Sequence, residues 1–264
     1  MNMIKRAVSK SYMKFELQKE KEFHSEKCTL KYLSIKKKKS DKLLVIFSGF
    51  PSPNQNAVYN YVLKFRNLNC NKLYILDDFG SDKKGSYYLG ENKDFFIEKA
   101  VKDLIASISS EMGVKKENII TCGSSKGGYA ALYFSYKYNY GAAVAGAPQI
   151  LLGDYLTAPH HEHIINYIMG ANTESEVEYL NNLLFETIES SEKPPYTSIH
   201  ISKNEHHYQN HVSHLFDFMK SKGIKYSADI ASYNEHNDIG LHFPSYAINT
   251  INGILNADRS ILTK

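Results

Sequence analysis

Short apolar runs alternate with longer amphipathic stretches along most of this chain. The run KLLVIF, residues 42–47, is continuously apolar, as expected of a strand buried on both faces. Residues 12–18 and 29–35 alternate instead, which predicts an antiparallel opening pair. Shorter apolar or β-branched runs predict the remaining strands, at residues 72–76, 119–121, 142–147, 196–202 and 226–232.

Helical patterns fall between these strands. Residues 94–112 are amphipathic, with Asp94 placed to cap the first turn and Gly113 placed to end the helix. Further helices are predicted over residues 57–67, 150–195 and 244–262, and residues 77–93 are predicted to be a long loop. Strands that alternate with helices indicate an α/β fold with a mostly parallel central sheet flanked by helices.

The most specific motif is the segment NIITCGSSKGGYAALY, residues 118–133. A short strand pattern leads into a Gly-x-Ser-x-Gly turn centred on Ser125, and a helical pattern follows. Gly123 and Gly127 remove side chains that would collide in so sharp a turn. This arrangement is the nucleophile elbow of an α/β-hydrolase fold. The sequence therefore predicts a single α/β-hydrolase domain over residues 1–264, with residues 150–195 as a helical cap insertion.

Composition and charge exclude several other classes. The chain has 264 residues, 42% of them apolar, and a net charge of +4. No run approaches the roughly 20 apolar residues of a membrane span, and we expect a cytoplasmic protein without a signal peptide. The three cysteines show no CxxC pairing, so neither a disulfide framework nor a zinc site is expected. The basic run at residues 36–39 is interpreted as a solvated loop, and no nucleic-acid partner is expected.

A serine nucleophile needs a base and an orienting acid, in the chain order serine, acid, histidine. His236 follows the last predicted strand and is the candidate base, with His242 in reserve. Glu205 follows the preceding predicted strand and is the candidate acid, with Asp154 as the second choice. The helical spacing of His207, His211 and His214 is interpreted as a solvated face rather than a metal site. Five further histidines are expected to be inert: His24, His160, His161, His163 and His200.

The negative charge that develops during attack needs backbone donors. The amide of Lys126 follows the nucleophile, and the loop after residues 42–47 offers the amides of Gly49 and Phe50 as the second oxyanion-hole donor. Tyr87 and Tyr88 lie in the predicted loop of residues 77–93 and are candidates for substrate binding.

Together, the segments IFSGFP, KGSYYL, GSSKGG, KYNY, APQ, GDYL, YIMG, SIHIS and EHND, in this order, resemble the α/β-hydrolase-fold capsule polysaccharide O-acetyltransferases. The resemblance runs from about residue 42 to residue 239. It implies transfer of an acetyl group from acetyl-CoA to a hydroxyl of a capsular or other surface polysaccharide, with Ser125 as nucleophile and His236 as base. The family has aspartate in the loop where this chain has Asn204 and Glu205.

The resemblance implies acetyl-CoA as co-substrate, and the cysteine and histidine spacings lead us to expect no metal. It leaves open a peripheral association with a glycan-synthesis assembly at the inner face of the membrane, and a homo-oligomer. Two other functions fit the same residues. A serine esterase would use the same triad with water as acceptor, and a catalytically silent member of the fold would act as a scaffold in glycan export.

Overall fold

The fold is built around one twisted sheet, described here from a computed structural model that covers residues 11–52 and 54–257. Eight strands form this sheet in the described part of the chain, in the order β1-β2-β4-β3-β5-β6-β7-β8. Their bounds are β1 Lys21–His24, β2 Thr29–Ile35, β3 Leu43–Phe47, β4 Asn71–Ile75, β5 Ile119–Ser124, β6 Ala142–Gly146, β7 Tyr196–Ser202 and β8 Ser227–Ala231.

One of these eight strands, β2, runs opposite to the other seven. The pairs β1–β2 and β2–β4 are antiparallel, and every later pair from β4 to β8 is parallel. The strands β3, β4, β5 and β6 are buried along their whole length, which explains the continuous apolar run of β3. β8 is an exposed edge strand. This mostly parallel sheet with the order given above confirms the predicted α/β-hydrolase fold.

Helices cover the faces of the sheet. Residues 11–17 are helical, and the later helices are α1 Phe96–Met112, α2 Lys126–Tyr138, α3 Leu152–Leu156, α4 Glu162–Met169, α5 Glu174–Glu189, α6 Ser213–Ser221 and α7 Ile239–Asn256. The helix α2 packs on β5 and β6, and α5 packs on α2 and α3. None of the helices in the ranges given is both long and apolar enough to cross a membrane.

Four predicted elements differ from the structure. Residues 12–18 are not a strand, since residues 11–17 are helical and the polar segment Lys21–His24 pairs with β2 instead. Residues 57–67 form turns and irregular backbone rather than a helix. Asp94 does not cap α1, whose N-cap is Phe95. The closing helix begins at Ile239 rather than at residue 244, and the predicted end at residue 262 lies outside the described residues.

Candidate active site

Ser125 occupies the turn between β5 and α2, at the carboxyl edge of the sheet. Its φ of 55° and ψ of −123° are unusual for a residue with a side chain. The amide of Ser125 donates to the carbonyl of Gly146 at 2.8 Å, and its own carbonyl accepts from the amides of Gly128 and Tyr129. These bonds hold the strained turn and leave the half-buried side chain of Ser125 accessible.

Two glycines permit this turn. A Cβ on Gly123 would lie 2.3 Å from the carbonyl oxygen of Gly127, and one on Gly127 would lie 2.5 Å from the carbonyl oxygen of Phe47. Both contacts involve backbone atoms, which have little freedom to move. The predicted elbow is therefore present, with both glycines in the positions that the motif requires.

His236 reaches Ser125 from the loop that follows β8. It begins a single 3₁₀ turn, His236–Asp238, which a capping box between Glu235 and Asp238 closes. The Nε2 atom of His236 lies 3.0 Å from Oγ of Ser125. The reserve candidate His242 is exposed on α7 and stacks on Tyr233 instead, with ring centroids 4.8 Å apart.

Glu205 approaches the other side of the His236 ring. Its Oε2 atom lies 3.3 Å from Nδ1 of His236, and the side chain of Glu205 is fully buried. The loops after β7 and β8 are tied together, because Asn204 Nδ2 donates to the carbonyl of Ser232 at 2.9 Å and the Ser202 hydroxyl donates to the carbonyl of Tyr233.

The structure thus brings Ser125, His236 and Glu205 together in the order expected of a nucleophile, base and acid. The alternative acid Asp154 is exposed on α3, where its Oδ1 atom accepts from Asn181 Nδ2 at 2.8 Å. It has no contact with the base.

A second histidine touches the base. Nδ1 of His207 lies 2.7 Å from Nδ1 of His236. The interpretation of His207, His211 and His214 as a solvated face is wrong for the first two residues, which are 2% and 4% exposed. Burial and neighbouring imidazoles lower the pKa of His207 to about 2, so this ring is neutral at ordinary pH.

Gln149 is a site residue that the sequence reasoning did not assign. Its Nε2 atom donates to Oγ of Ser125 at 2.6 Å, and its Oε1 atom accepts from the hydroxyl of Tyr87 at 3.4 Å. The side chain of Gln149 is fully buried. Its position just beyond the carboxyl end of β6, the strand beside the elbow strand, was the available signal.

The predicted oxyanion-hole residues are not equivalent. Lys126 is the first residue of α2, where an amide has no partner within the helix. The amide of Gly49 already donates to Asn60 Oδ1 at 2.8 Å. Phe50 is the half-buried neighbour of Gly49 in the same loop. Because the Gly49 amide is already hydrogen-bonded, the amide of Phe50 is the better candidate for the second donor.

Tyr87 and Tyr88 do not present a surface to a substrate, because both side chains are fully buried. The hydroxyl of Tyr88 accepts from the amide of Ser48 at 2.6 Å and donates to the carbonyl of Ile75 at 2.9 Å. This position corrects the prediction of direct substrate contact. Tyr88 fixes the loop that carries Gly49 and Phe50, whereas Tyr87 supports Gln149.

The side chain of Lys126 holds the long loop that follows β4. Its Nζ atom lies 2.6 Å from Oδ2 of Asp77, and both side chains are completely buried. Asp77 also accepts from the amides of Ser86 and Tyr88. Desolvation lowers the pKa of Lys126, although the Asp77 carboxylate opposes this effect. The residue after the nucleophile therefore also anchors the loop of residues 77–93.

The strand order, the strained serine turn and the serine–histidine–glutamate contacts define an enzyme of the α/β-hydrolase type. A family model described as "Accessory Sec system GspB-transporter" matches residues 30–258. The chain belongs to this family. A comparison with curated protein sequences finds no match.

Solved structures with the α/β-hydrolase fold superpose on this chain. It is 25% identical to the capsule O-acetyltransferase of Neisseria meningitidis serogroup A, with a TM-score of 0.75, and the match covers 87% of this chain and 92% of that enzyme. A mutant of that enzyme in complex with CoA superposes with a TM-score of 0.77 at 24% identity over 89% of this chain and 96% of the other.

Two further structures share the fold at lower identity. The Glycosylation Associate Protein (Gap123) complex from Streptococcus agalactiae gives a TM-score of 0.75 at 20% identity, with 91% of this chain covered but only 47% of that one. The fluorophosphonate-binding serine hydrolase FphF from Staphylococcus aureus gives 0.70 at 13% identity, over 90% and 98% of the two chains. These structural similarities support the α/β-hydrolase fold.

Proposed function

We propose that this protein is a serine-dependent O-acetyltransferase that moves an acetyl group from acetyl-CoA to a hydroxyl of a surface glycan. The observation that carries the proposal is the contact of 3.0 Å between Nε2 of His236 and Oγ of Ser125, with Glu205 behind the same imidazole. A nucleophile, its base and an orienting acid are the parts that acyl transfer needs.

The first half-reaction forms an acetyl-serine. Oγ of Ser125 attacks the thioester carbonyl while its proton passes to Nε2 of His236. The oxyanion is held by the amides of Lys126 and Phe50. Collapse of the tetrahedral intermediate breaks the carbon–sulfur bond, and the CoA thiolate takes the proton back from His236. Glu205 stabilises the imidazolium that exists between these two proton transfers.

The second half-reaction releases the acetyl group. The acceptor hydroxyl gives its proton to His236 and attacks the acetyl-serine carbonyl. Oγ of Ser125 leaves and regains a proton from the same imidazole, which restores the enzyme and yields the glycan ester. Water competes at this step, so the site needs a cover.

The segment of residues 150–195 is the candidate cover. Its helices α3, α4 and α5 follow Gln149 directly. His161, at the start of α4, stacks on Phe50 with ring centroids 5.9 Å apart. The backbone of Asn92 and Lys93 bonds to that of Tyr167 and Ile168, which joins α4 to the loop of residues 77–93. These contacts support a role for the segment at the mouth of the site.

The choice of donor and acceptor rests on the relatives. The 25% identical enzyme is a capsule O-acetyltransferase, and a structure of that enzyme holds CoA. The family description refers to an accessory Sec system, and a glycosylation-associated protein shares the fold. A capsular polysaccharide and a glycan carried on an exported protein are therefore the acceptors to test.

The proposal predicts an acetyl group on Ser125. Incubation with acetyl-CoA without acceptor, followed by peptide mass spectrometry, should show the acetylated elbow peptide. Ser125→Ala should remove the modification, whereas Ser124→Ala, whose hydroxyl contacts Tyr61, should keep it. Acetylation elsewhere, or none while a fluorophosphonate still labels Ser125, would contradict the acetyl-CoA donor and favour an esterase.

A further inference from the structure

Nδ1 of His236 can donate one hydrogen bond, but two acceptor atoms lie near it. To receive the serine proton at Nε2, the ring must carry its own proton at Nδ1. This one N–H group faces both Oε2 of Glu205 at 3.3 Å and Nδ1 of His207 at 2.7 Å. A serine–histidine–acid arrangement needs one acceptor at this place, so the second acceptor is surplus.

Several buried polar atoms around this N–H group have no hydrogen-bond partner of their own within the described part of the chain. Among the residues that the structure describes, neither carboxylate oxygen of Glu205 has a hydrogen-bond partner, and Nε2 of His207 has none either. The Glu205–His236 contact is within ion-pair range but is not aligned as a hydrogen bond. A buried carboxylate without a donor is strongly destabilising unless a positive charge or a proton compensates it.

We propose that Glu205, His207 and His236 form a binding site for a divalent transition-metal ion such as zinc. The three ligand atoms all lie within 4.8 Å of one another. Two imidazole nitrogens and one carboxylate oxygen are a ligand set that zinc accepts, with a fourth position left for water. Sequence reasoning expected no metal, and it grouped His207 with His211 and His214, which are not ligands of this site.

The distances fit a tetrahedral ion after a small adjustment. Ligands about 2.0–2.1 Å from zinc lie roughly 3.3 Å apart in a tetrahedral site. Oε2 of Glu205 and Nδ1 of His236 are already 3.3 Å apart, whereas the two Nδ1 atoms are 2.7 Å apart and must separate slightly.

Metal binding at this site would inhibit the enzyme, a consequence that rests on the proposed function. A metal on Nδ1 of His236 displaces the proton there, and the neutral ring then carries its proton at Nε2. That nitrogen can no longer accept the proton of Ser125. The bound ion also neutralises Glu205. The base is therefore blocked reversibly without any change at the nucleophile.

Several other groups face the cluster. The rings of His206 and His211 lie 4.1 and 5.1 Å from that of His207, and Tyr155 lies 5.7 Å from it. Nδ1 of His211 already accepts from the amide of Leu151 at 3.2 Å. His206 and His214 are exposed, so they offer weaker competing sites. His214 therefore provides the matched control.

The test is a titration of the chelator-treated protein with Co²⁺, followed by its displacement with Zn²⁺. The visible absorption of four-coordinate cobalt should appear at one equivalent and vanish when zinc is added. His207→Phe keeps a buried ring without a ligand atom, and it should weaken binding by at least about tenfold. Glu205→Gln should weaken it similarly, and His214→Gln should leave it unchanged. Thermal melts establish that each variant is folded.

A second measurement separates this inference from the proposed function. Zinc should slow fluorophosphonate labelling of Ser125, and a chelator should restore it. If cobalt binds as expected but Ser125 is never labelled, the metal site stands and the proposed nucleophile fails. If Ser125 is labelled but no cobalt spectrum forms, or if both ligand variants bind as tightly as the wild type, the metal site is refuted.

Discussion

Gln149 places a side-chain donor next to the nucleophile. Its side-chain amide donates to the nucleophile oxygen itself, and it lies at the end of the strand next to the elbow strand. As the serine proton leaves, this donor faces a growing negative charge. We therefore expect Gln149 to contribute to the rate as well as to the position of Ser125.

Replacing Gln149 with leucine should lower kcat roughly a hundredfold, as for loss of one oxyanion-hole donor, with a smaller change in KM. The measurement is thiol release from acetyl-CoA with donor and acceptor both saturating. Tyr87→Phe removes only the long hydrogen bond of 3.4 Å behind Gln149 and should change kcat less than tenfold. An unchanged kcat in Gln149→Leu would remove this residue from the reaction.

Lys126 and Asp77 form a buried ion pair directly behind the elbow. Lys126→Met should lower the free energy of unfolding by about 3–5 kcal/mol, because it leaves the Asp77 carboxylate buried without its cation. Urea denaturation measures the loss. Lys102→Met breaks an exposed pair with Asp103 and should change stability by less than about 1 kcal/mol. Equal effects of the two substitutions would contradict this role for the buried pair.

Residues of the site differed in how far the sequence could predict them. Ser125, His236 and Glu205 follow strands of a parallel sheet, so chain order and strand ends made them the first candidates, with Asp154 and His242 as alternatives. His207 could not be placed in the same way. A π-helical turn at Tyr208–Val212 follows it, and its contact with His236 depends on a loop from another strand.

At the scale of elements, the elbow depends on the absence of two side chains. Gly127→Ala should lower the free energy of unfolding by at least about 2 kcal/mol, because the added Cβ would meet the carbonyl of Phe47. Gly253→Ala, in the open face of α7, should stabilise the protein by about 0.5–1 kcal/mol. Thermal melts of the two variants and the wild type measure these changes. Normal stability of Gly127→Ala would show that the turn adapts.

Strands and helices with strong local patterns were predicted, and those fixed by distant contacts were not. The segment around β3 is a continuous apolar run and that around α1 is amphipathic, and both formed as expected. Residues 57–67 looked helical, yet the side chain of Asn60 accepts from Gly49 and Tyr61 reaches Ser124. These tertiary hydrogen bonds override a local helical preference. The edge strand β1 is polar and exposed, so it gave no apolar signal.

At the scale of the whole molecule, buried histidines make stability depend on pH. Desolvation lowers the pKa of His211 from 6.5 to about 4. The unfolded chain therefore binds more protons than the folded one below pH 6.5. The free energy of unfolding falls for this reason as the pH drops from 6.5 towards 4. One such group contributes about 1.4 kcal/mol per pH unit, or about 3 kcal/mol over this interval.

His211→Asn keeps an acceptor near the amide of Leu151 but removes the titrating ring. Its free energy of unfolding should fall less steeply than that of the wild type between pH 6.5 and 4. The exposed control His214→Asn should follow the wild-type curve. Urea denaturation at a series of pH values gives the slopes. Identical slopes for His211→Asn and the wild type would show that His211 is not a source of the acid sensitivity.

Transfer to a glycan, rather than hydrolysis, is what distinguishes the proposed activity from others of this fold. The decisive measurement is thiol release from acetyl-CoA, with and without capsular oligosaccharides and glycosylated proteins, alongside Ser125→Ala. We predict release that requires one class of acceptor, is matched by acetyl ester on that acceptor, and disappears in Ser125→Ala. Release at the same rate without any acceptor, or release that survives in Ser125→Ala, would contradict a serine-dependent glycan O-acetyltransferase.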